Sequence, residues 1–427
     1  MELDNFDKNE LPVVVIGAGL GGLGAACQLA LSGEKVLLLE KHNVPGGFAT
    51  SFVRGRFEFE GALHVLAEVG NEENPLSLYD FFKNLGVLNK IEFKKPHDLY
   101  RCIFYDGFDE TLPKDRETYF DKLIELFPNE KKGIKKFRSI AFKVRAGFQY
   151  VAEKEGKASP LGILFKHPYL ARVGGLTLKD IYDRCFKDQR LRAVIGQIWG
   201  YNGLPPSRLN AMYYLLTLVA LMDDAVFPVG RSHALSSTMI ECFEHLNGKI
   251  KYNALVNKIL TKEGRVSGVE LLNGEKVSCK AVISNVNPIC TTMKMLPDSL
   301  ISDAYKKRLY APDIGTSVFT VFLGLNASLK DIGINDFEIF LNSTDNLEEQ
   351  YKSSLRIEKP RYLLASCYNI MYENISPPGT RQVTLTALQD GKAWHTISPD
   401  QYHQKKDDMA DYMIKMLEEF LSPNIRD

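Results

Sequence analysis

The stretch from Val13 to Glu40, VVVIGAGLGGLGAACQLALSGEKVLLLE, constrains the chain most, because it spells a whole strand–turn–helix–strand unit. An apolar, β-branched run from Val13 to Ile16 leads into Gly17, Gly19 and Gly22 at the G-x-G-x-x-G spacing of a dinucleotide-binding turn. Leu20, Leu23, Ala26, Cys27, Ala30 and Leu31 then recur at helical period and predict a helix that stops near Gly33. A second apolar strand, Val36 to Leu39, ends at Glu40. In such a unit the glycines turn the chain, let the backbone approach a pyrophosphate and let the helix pack closely on the sheet. The helix N-terminus faces the phosphates with unpaired N–H groups and its positive dipole end. Glu40 stands where a carboxylate accepts hydrogen bonds from an adenosine ribose; a free 2′-hydroxyl suits it better than a phosphate, which disfavours NADP.

At 427 residues the chain exceeds the size at which a single core stops growing, so two domains are expected. Its 53 basic and 53 acidic residues balance, which gives no reason to expect a nucleic-acid partner. Seven cysteines lie singly, with no C-x-x-C pair, and point to a reduced, cytoplasmic setting. The N-terminal MELDNFDKNELP lacks the basic start and apolar centre of a signal peptide. The longest apolar stretch, Ala211 to Met222, falls far short of the roughly 20 residues that span a bilayer, so no membrane crossing is expected.

Gly46 and Gly47 follow the second strand closely, and beside a nucleotide unit they read as part of the same site rather than as an ordinary turn. From residue 76 to about Asp224 the pattern changes to helices and aromatic-rich segments. There Ile134, Phe137, Ala141, Val144, Phe148 and Val151 mark one apolar helix stripe, flanked by Lys131, Lys132, Lys135, Lys136, Arg138, Lys143 and Arg145. Two interpretations stay open: a helix lying on a membrane surface, or, the favoured one, a core-facing helix with a solvated basic face. From Lys249 to Asn285 the pattern is strands, with Glu263-Gly264 and the stronger Asn273-Gly274 as hairpin signals and a closing strand able to rejoin a parallel sheet. A further strand, Ser317 to Leu325, and a helix from Gln404 to Leu421 follow.

Three blocks together resemble the FAD-dependent phytoene desaturase, carotenoid isomerase and retinol saturase family. They are VVVIGAGLGGLGAACQLALSGEKVLLLEKHNVPGGFATSF with RFEFEGALH, then AVFPVGRSHALSSTMIECFEHLNGKIKYNALVNKILTKEGRVSGVELLNGEKVSCKAVISNVNP, and a weaker ISPPGTRQVTLTAL with YHQKKDDMADYMIKMLEEF. The resemblance implies an α/β fold, with a discontinuous Rossmann-type FAD-binding domain at 1–75 and 225–295. A mixed α+β substrate-binding domain would occupy 76–224 and 296–427. It places Gly17, Gly19 and Gly22 on the FAD pyrophosphate and Glu40, followed by Lys41, at the adenosine ribose. Gly46 and Gly47 fall beside the flavin phosphates and ribityl chain, and Val256 where the backbone meets the adenine. The chain departs from the family at Phe59-Glu60-Gly61-Ala62-Leu63-His64, where F-D-x-G-x-H is usual, and at Gly230-Arg231, where two glycines are usual. Family members also continue past a segment like Pro423 to Asp427 into a glycine-rich stretch that completes the flavin pocket. The resemblance therefore implies that further chain or a partner supplies that wall, or that the flavin is bound weakly or not at all, and that residues 1–427 alone are short of full activity.

The function so implied is an FAD-dependent oxidoreductase that desaturates, saturates or isomerises carbon–carbon bonds of an apolar polyene or isoprenoid-like substrate, reached from a lipid phase or carrier. Two alternatives stand beside it: a flavin amine oxidase, and a non-catalytic subunit binding a lipophile or a partner. No H-E-x-x-H, P-loop or G-x-S-x-G pattern argues for other chemistry, and no metal ligands are assigned. No catalytic acid or base is assigned either. His64 is the best single candidate, ahead of His395, although a lone histidine is more often structural.

Overall fold

A computed structural model describes residues 11–154, 157–326, 328, 329, 332–421 and 425. The expectations made on MELDNFDKNE and on most of the Pro423 to Asp427 segment lie outside the described residues. The chain divides into two compact units, one made of residues 1–94 and 226–314 and the other of 95–225 and 315–427.

The first unit is built on a four-stranded parallel sheet in the order Ala281–Ser284, Val13–Ile16, Val36–Leu39, Lys249–Lys251. Every residue of the two central strands is buried, which is why both read as unbroken apolar runs rather than alternating ones. Val15, Val36 and Leu38 face the helices Leu20–Leu31, Tyr79–Leu85 and Arg231–His245, through Leu23, Ala26, Phe82, Leu85, Met239 and Phe243. The alternate residues Val14, Ile16, Leu37 and Leu39 face a three-stranded antiparallel meander through Val256, Ile259, Val269, Leu271 and Val277. The composition change near residue 76 does not coincide with the division after Lys94. Helix Tyr79–Leu85 and Val87 bury their apolar residues in the nucleotide-unit core and so stay with the first unit.

The two hairpin signals behave differently. Glu263 and Gly264 both adopt left-handed φ (52° and 74°) and close a two-residue turn between the paired Lys262 and Arg265. At Asn273-Gly274 only the glycine is left-handed, because the Leu272 N–H leaves the ladder to donate to the Leu255 carbonyl (2.8 Å) and the loop is longer.

The second unit holds a six-stranded sheet in the order Ser317–Leu325, Arg381–Gln389, Tyr362–Ser366, Glu338–Asn342, Asp98–Phe104, Asp109–Pro113. All its pairings are antiparallel except that of Glu338–Asn342 with Asp98–Phe104. Ile339, Leu341, Leu363, Val383 and Leu385 pack on Met409, Met413, Met416 and Leu417 of the helix Pro399–Phe420. That helix starts five residues before Gln404, at a proline that suits the first helical position. Phe340 and Leu364 join a largely helical cluster that includes Ile134, Phe137, Ala141 and Val144 of helix Lys131–Glu153.

The stripe on Lys131–Glu153 therefore faces a core, but its last turns depart from the expected line. Arg145 and Gly147 are buried while Phe148 is 44% exposed. A side chain at Gly147 would sit 2.9 Å from Leu170 Cβ, so its absence lets the helix Pro168–Val173 close onto this side. Arg145, expected on the solvated face, instead lies 3.5 Å from the Asp223 carboxylate in the interior.

Candidate functional site

The carboxyl ends of the parallel strands meet at one place, as ligand sites in such sheets do. The Gly17 N–H donates to the Leu39 carbonyl (2.8 Å), the Asn285 N–H to Ile16 (2.9 Å) and the Glu40 N–H to Lys251 (2.9 Å). Above these ends opens a cavity of about 830 Å³. Gly17, Gly19, Glu40, Lys41, Gly46, Gly47 and Val256 all line it, so seven of the eight residues singled out in the sequence are brought together.

Gly22 is the exception. It is buried behind the turn, where a Cβ would lie 1.9 Å from the Gly17 carbonyl oxygen and 3.2 Å from Asn285 Cβ. Its place is at the helix–strand contact, and it does not line the cavity. Gly19 serves as the N-cap of helix Leu20–Leu31 and offers no side chain to its first turn, leaving the positive end of the helix bare at the cavity. The double glycine packs directly on this turn: the Gly46 N–H donates to the Ala18 carbonyl (2.8 Å), and a Cβ on Gly47 would be 3.1 Å from Gly19 Cα. Both have left-handed φ, 106° and 64°, and a side chain at Gly46 would strike the Ala49 carbonyl at 2.1 Å.

Glu40 is buried, and both its oxygens accept backbone hydrogen bonds, Oε2 from Ala18 N–H (2.6 Å) and Oε1 from His42 N–H (2.8 Å). Each oxygen retains acceptor capacity toward the cavity. The shape, the bare helix end and the buried acid together fit the adenosine diphosphate half of FAD.

The two departures from the family pattern are accommodated side by side. Glu60, nearly inaccessible, accepts from the Ser232 N–H (2.8 Å), the Ser232 hydroxyl (2.6 Å) and the Leu63 N–H (3.2 Å). Burial pushes its carboxyl upward and these hydrogen bonds pull it back. Gly230 and Arg231 both take left-handed φ (88° and 71°), so the arginine adopts the conformation a glycine would. Its guanidinium donates to the Glu58 carboxylate (3.0 Å) and carbonyl (2.8 Å), tying helix Arg231–His245 to the hairpin Ser51–Arg54 and Phe57–Glu60.

His64 follows that hairpin, and burial pushes its imidazole down to about 4, so it is neutral near pH 7 and holds no imidazolium proton to give. His395 lies exposed at the end of a short helix in the second unit and does not line the cavity. Asn285, at the end of the closing strand Ala281 to Asn285 that the resemblance implies closes the adenine side, lines the cavity, and Asn287, Cys290 and Met295, which sequence reasoning missed, continue that wall. Asn285 was visible as the residue after a strand, and its side chain sits against all the turn glycines: a Cβ on Gly19 would be 3.1 Å from its Oδ1 and one on Gly21 2.6 Å from its Nδ2.

Comparison with known proteins gives a consistent picture. Residues 20–426 match the family described as flavin containing amine oxidoreductase. The chain is 26% identical to an all-trans-retinol 13,14-reductase of Danio rerio, over 98% of its own length and 73% of the relative's. It is also 26% identical to prolycopene isomerase 2, chloroplastic, of an Oncidium hybrid cultivar, over 99% of its length and 71% of the relative's. Among solved structures, an oxidoreductase from Methanosarcina mazei superposes with a TM-score of 0.64 at 16% identity, covering 95% of this chain and 84% of that one, a likeness of fold.

Proposed function

Because the chain belongs to the flavin containing amine oxidoreductase family and is an FAD-dependent oxidoreductase, we propose that its substrate is a lipophilic polyene or isoprenoid-like molecule. The reaction is desaturation, saturation or isomerisation at a carbon–carbon bond. The observation that carries this choice is the near-complete alignment with a retinol reductase and a prolycopene isomerase, proteins named for carbon–carbon chemistry on polyenes. The family description itself favours a second reading, oxidation of an amine.

In the proposed site, Gly17 and Gly19 leave the pyrophosphate room to reach the bare helix end, and Glu40 accepts from the ribose hydroxyls while Lys41 lies beside it. Gly46 and Gly47 hold the floor against the turn, and Val256 presents its backbone to the adenine. When bound, FAD supplies a ring that accepts or donates hydride. The first unit is the FAD-binding domain on this reading, and the second carries the substrate-binding role. A substrate of this class is sparingly soluble in water and is taken from a lipid phase.

The test is to reduce the FAD-loaded protein under anaerobic conditions and follow the flavin absorbance against a polyene panel and an amine panel. Reoxidation of reduced flavin by a polyene, reduction of oxidised flavin by one, or cis/trans conversion of one is the expected result. Reduction by amines alone refutes the carbon–carbon assignment, and absence of flavin from the purified protein refutes the cofactor site.

A further inference from the structure

The helix Pro160–Lys166 contains no buried residue. Its exposed large apolar side chains are Leu161, Leu164 and Phe165, spaced so that they share one face, and they are 66%, 51% and 79% exposed, while Ile163 is half-buried. Single exposed apolar residues are ordinary, but three on one face of a short helix form a patch that calls for an occupant. Phe148, in the helix Lys131–Glu153 nearby in sequence, is exposed as well.

Specific contacts tie the helix to its neighbours. Ser159 caps it, its hydroxyl accepting from the Gly162 N–H (2.9 Å), and Pro160 begins it. The Tyr150 ring lies 4.9 Å from that of His167, at the helix end, and 5.5 Å from the Lys166 ammonium. The Lys143 ammonium sits 4.5 Å over Tyr169 in the following helix. The apolar face is thus held outward rather than left over from a loose loop.

Charge identifies what it faces. Residues 131–172 contain eleven Lys and Arg against two Glu, in a chain whose total charge balances. Lys154, Lys157, Lys166 and Arg172 are exposed around the apolar helix. Apolar side chains ringed by lysine and arginine match the acyl boundary and the phosphate layer of an anionic bilayer at once.

We propose that helix Pro160–Lys166 docks this protein on an anionic lipid surface, with Leu161, Leu164 and Phe165 entering the acyl boundary and the surrounding basic residues on the headgroups. This rests on the lipophilic-substrate reading and names the surface from which such a substrate is taken. It moves the membrane contact from helix Lys131–Glu153, whose apolar stripe is occupied by the core, to the helix that follows it.

The experiment uses FAD-loaded protein in flotation with phosphatidylcholine vesicles, with and without phosphatidylserine. Co-flotation with the anionic vesicles, weakened by salt, is expected. Combined Leu161→Ser, Leu164→Ser and Phe165→Ser should lower partitioning by at least about 10-fold, and Lys154→Gln with Lys166→Gln by about 5-fold for each charge removed. Phe165→Trp provides a second measurement, with emission shifting to the blue only when anionic vesicles are added. Flotation of the triple serine variant equal to the parent, or an unmoved Phe165→Trp emission, overturns the proposal. So does a parent dimer that the serine variant dissolves, since a second copy would then be the occupant. Flavin content and turnover on detergent-dispersed polyene are read in the same variants. Intact turnover with failed flotation overturns the docking alone, whereas absent turnover with intact flotation overturns the substrate reading alone.

Discussion

Replacing Glu40 should unfasten the nucleotide unit even with no nucleotide present. Its carboxylate is the acceptor for two backbone donors, and a hydrogen bond to a charged group contributes about 1.5–3 kcal/mol when its loss leaves the partner unpaired. Ala18 is fully buried, so its N–H bears the whole loss in Glu40→Ala, whereas His42 is exposed and its N–H can turn to water. The local cost is then about 1.5–3 kcal/mol. Glutamine should recover most of it, because its carbonyl oxygen can still accept from the Ala18 N–H while its amide donor faces only the exposed His42 N–H. Both tryptophans, Trp199 and Trp394, lie in the second unit and are poor reporters of this event. The suitable assay is hydrogen exchange of peptides covering residues 13–40 in the FAD-free protein. At 1.4 kcal/mol per decade, protection should fall about 10-fold to about 150-fold in Glu40→Ala and far less in Glu40→Gln. If exchange stays at the parent level while FAD affinity falls, the carboxylate acts on the ribose alone and the structural account is wrong.

Two further outcomes follow from local geometry and charge. Gly24 has nothing within 4 Å of the position a Cβ would take, whereas a Cβ on Gly22 overlaps the Gly17 carbonyl. In urea unfolding read by circular dichroism, Gly24→Ala should stabilise the helix by about 0.5–1 kcal/mol, and Gly22→Ala should destabilise by about 1–3 kcal/mol and weaken FAD retention. Burial raises the Glu338 carboxyl to about 7 from an ordinary 4.5, against the pull of the Tyr201 hydroxyl donating at 2.7 Å. The folded state therefore binds the extra proton between pH 4.5 and 7, so stability falls as pH rises through that window, by about 3 kcal/mol in all. Glu338→Gln keeps an acceptor for Tyr201 and should match the parent near pH 4 but exceed it at pH 8 in tryptophan-monitored unfolding. Equal stability at pH 8 would show that the carboxyl ionises freely in the fold.

The nucleotide unit was legible because its signals are local. Strand bounds at Val13–Ile16 and Val36–Leu39 follow from apolar runs that are buried on both faces, and the helix end from Gly33 at a left-handed φ of 81°. What local pattern could not convey is which neighbour takes each face. The stripe on Lys131–Glu153 was readable to Val144 and misleading beyond it, because the course of its last turns is decided by Gly147, whose role depends on Leu170 more than twenty residues away. Arg145 was counted with the surface lysines for the same reason: its interior place depends on Asp223, far along the chain.

The cavity shows the same division more sharply. Gly17, Gly19 and Glu40 fall within one strand–turn–helix–strand unit of the sequence and were found by spacing, while Asn285 reaches them only because its strand returns through a meander to pair with Val13–Ile16. Its Oδ1 and Nδ2 lie just where side chains on Gly19 and Gly21 would go, so the glycine pattern and the asparagine are two halves of one steric fit. The glycines are therefore constrained on two sides, by the ligand they make room for and by a residue more than 260 positions later that fills the space behind them. A motif read alone assigns every glycine to the ligand. The fold assigns Gly22 to the sheet, Gly21 to Asn285, and leaves Gly17 and Gly19 facing the cavity.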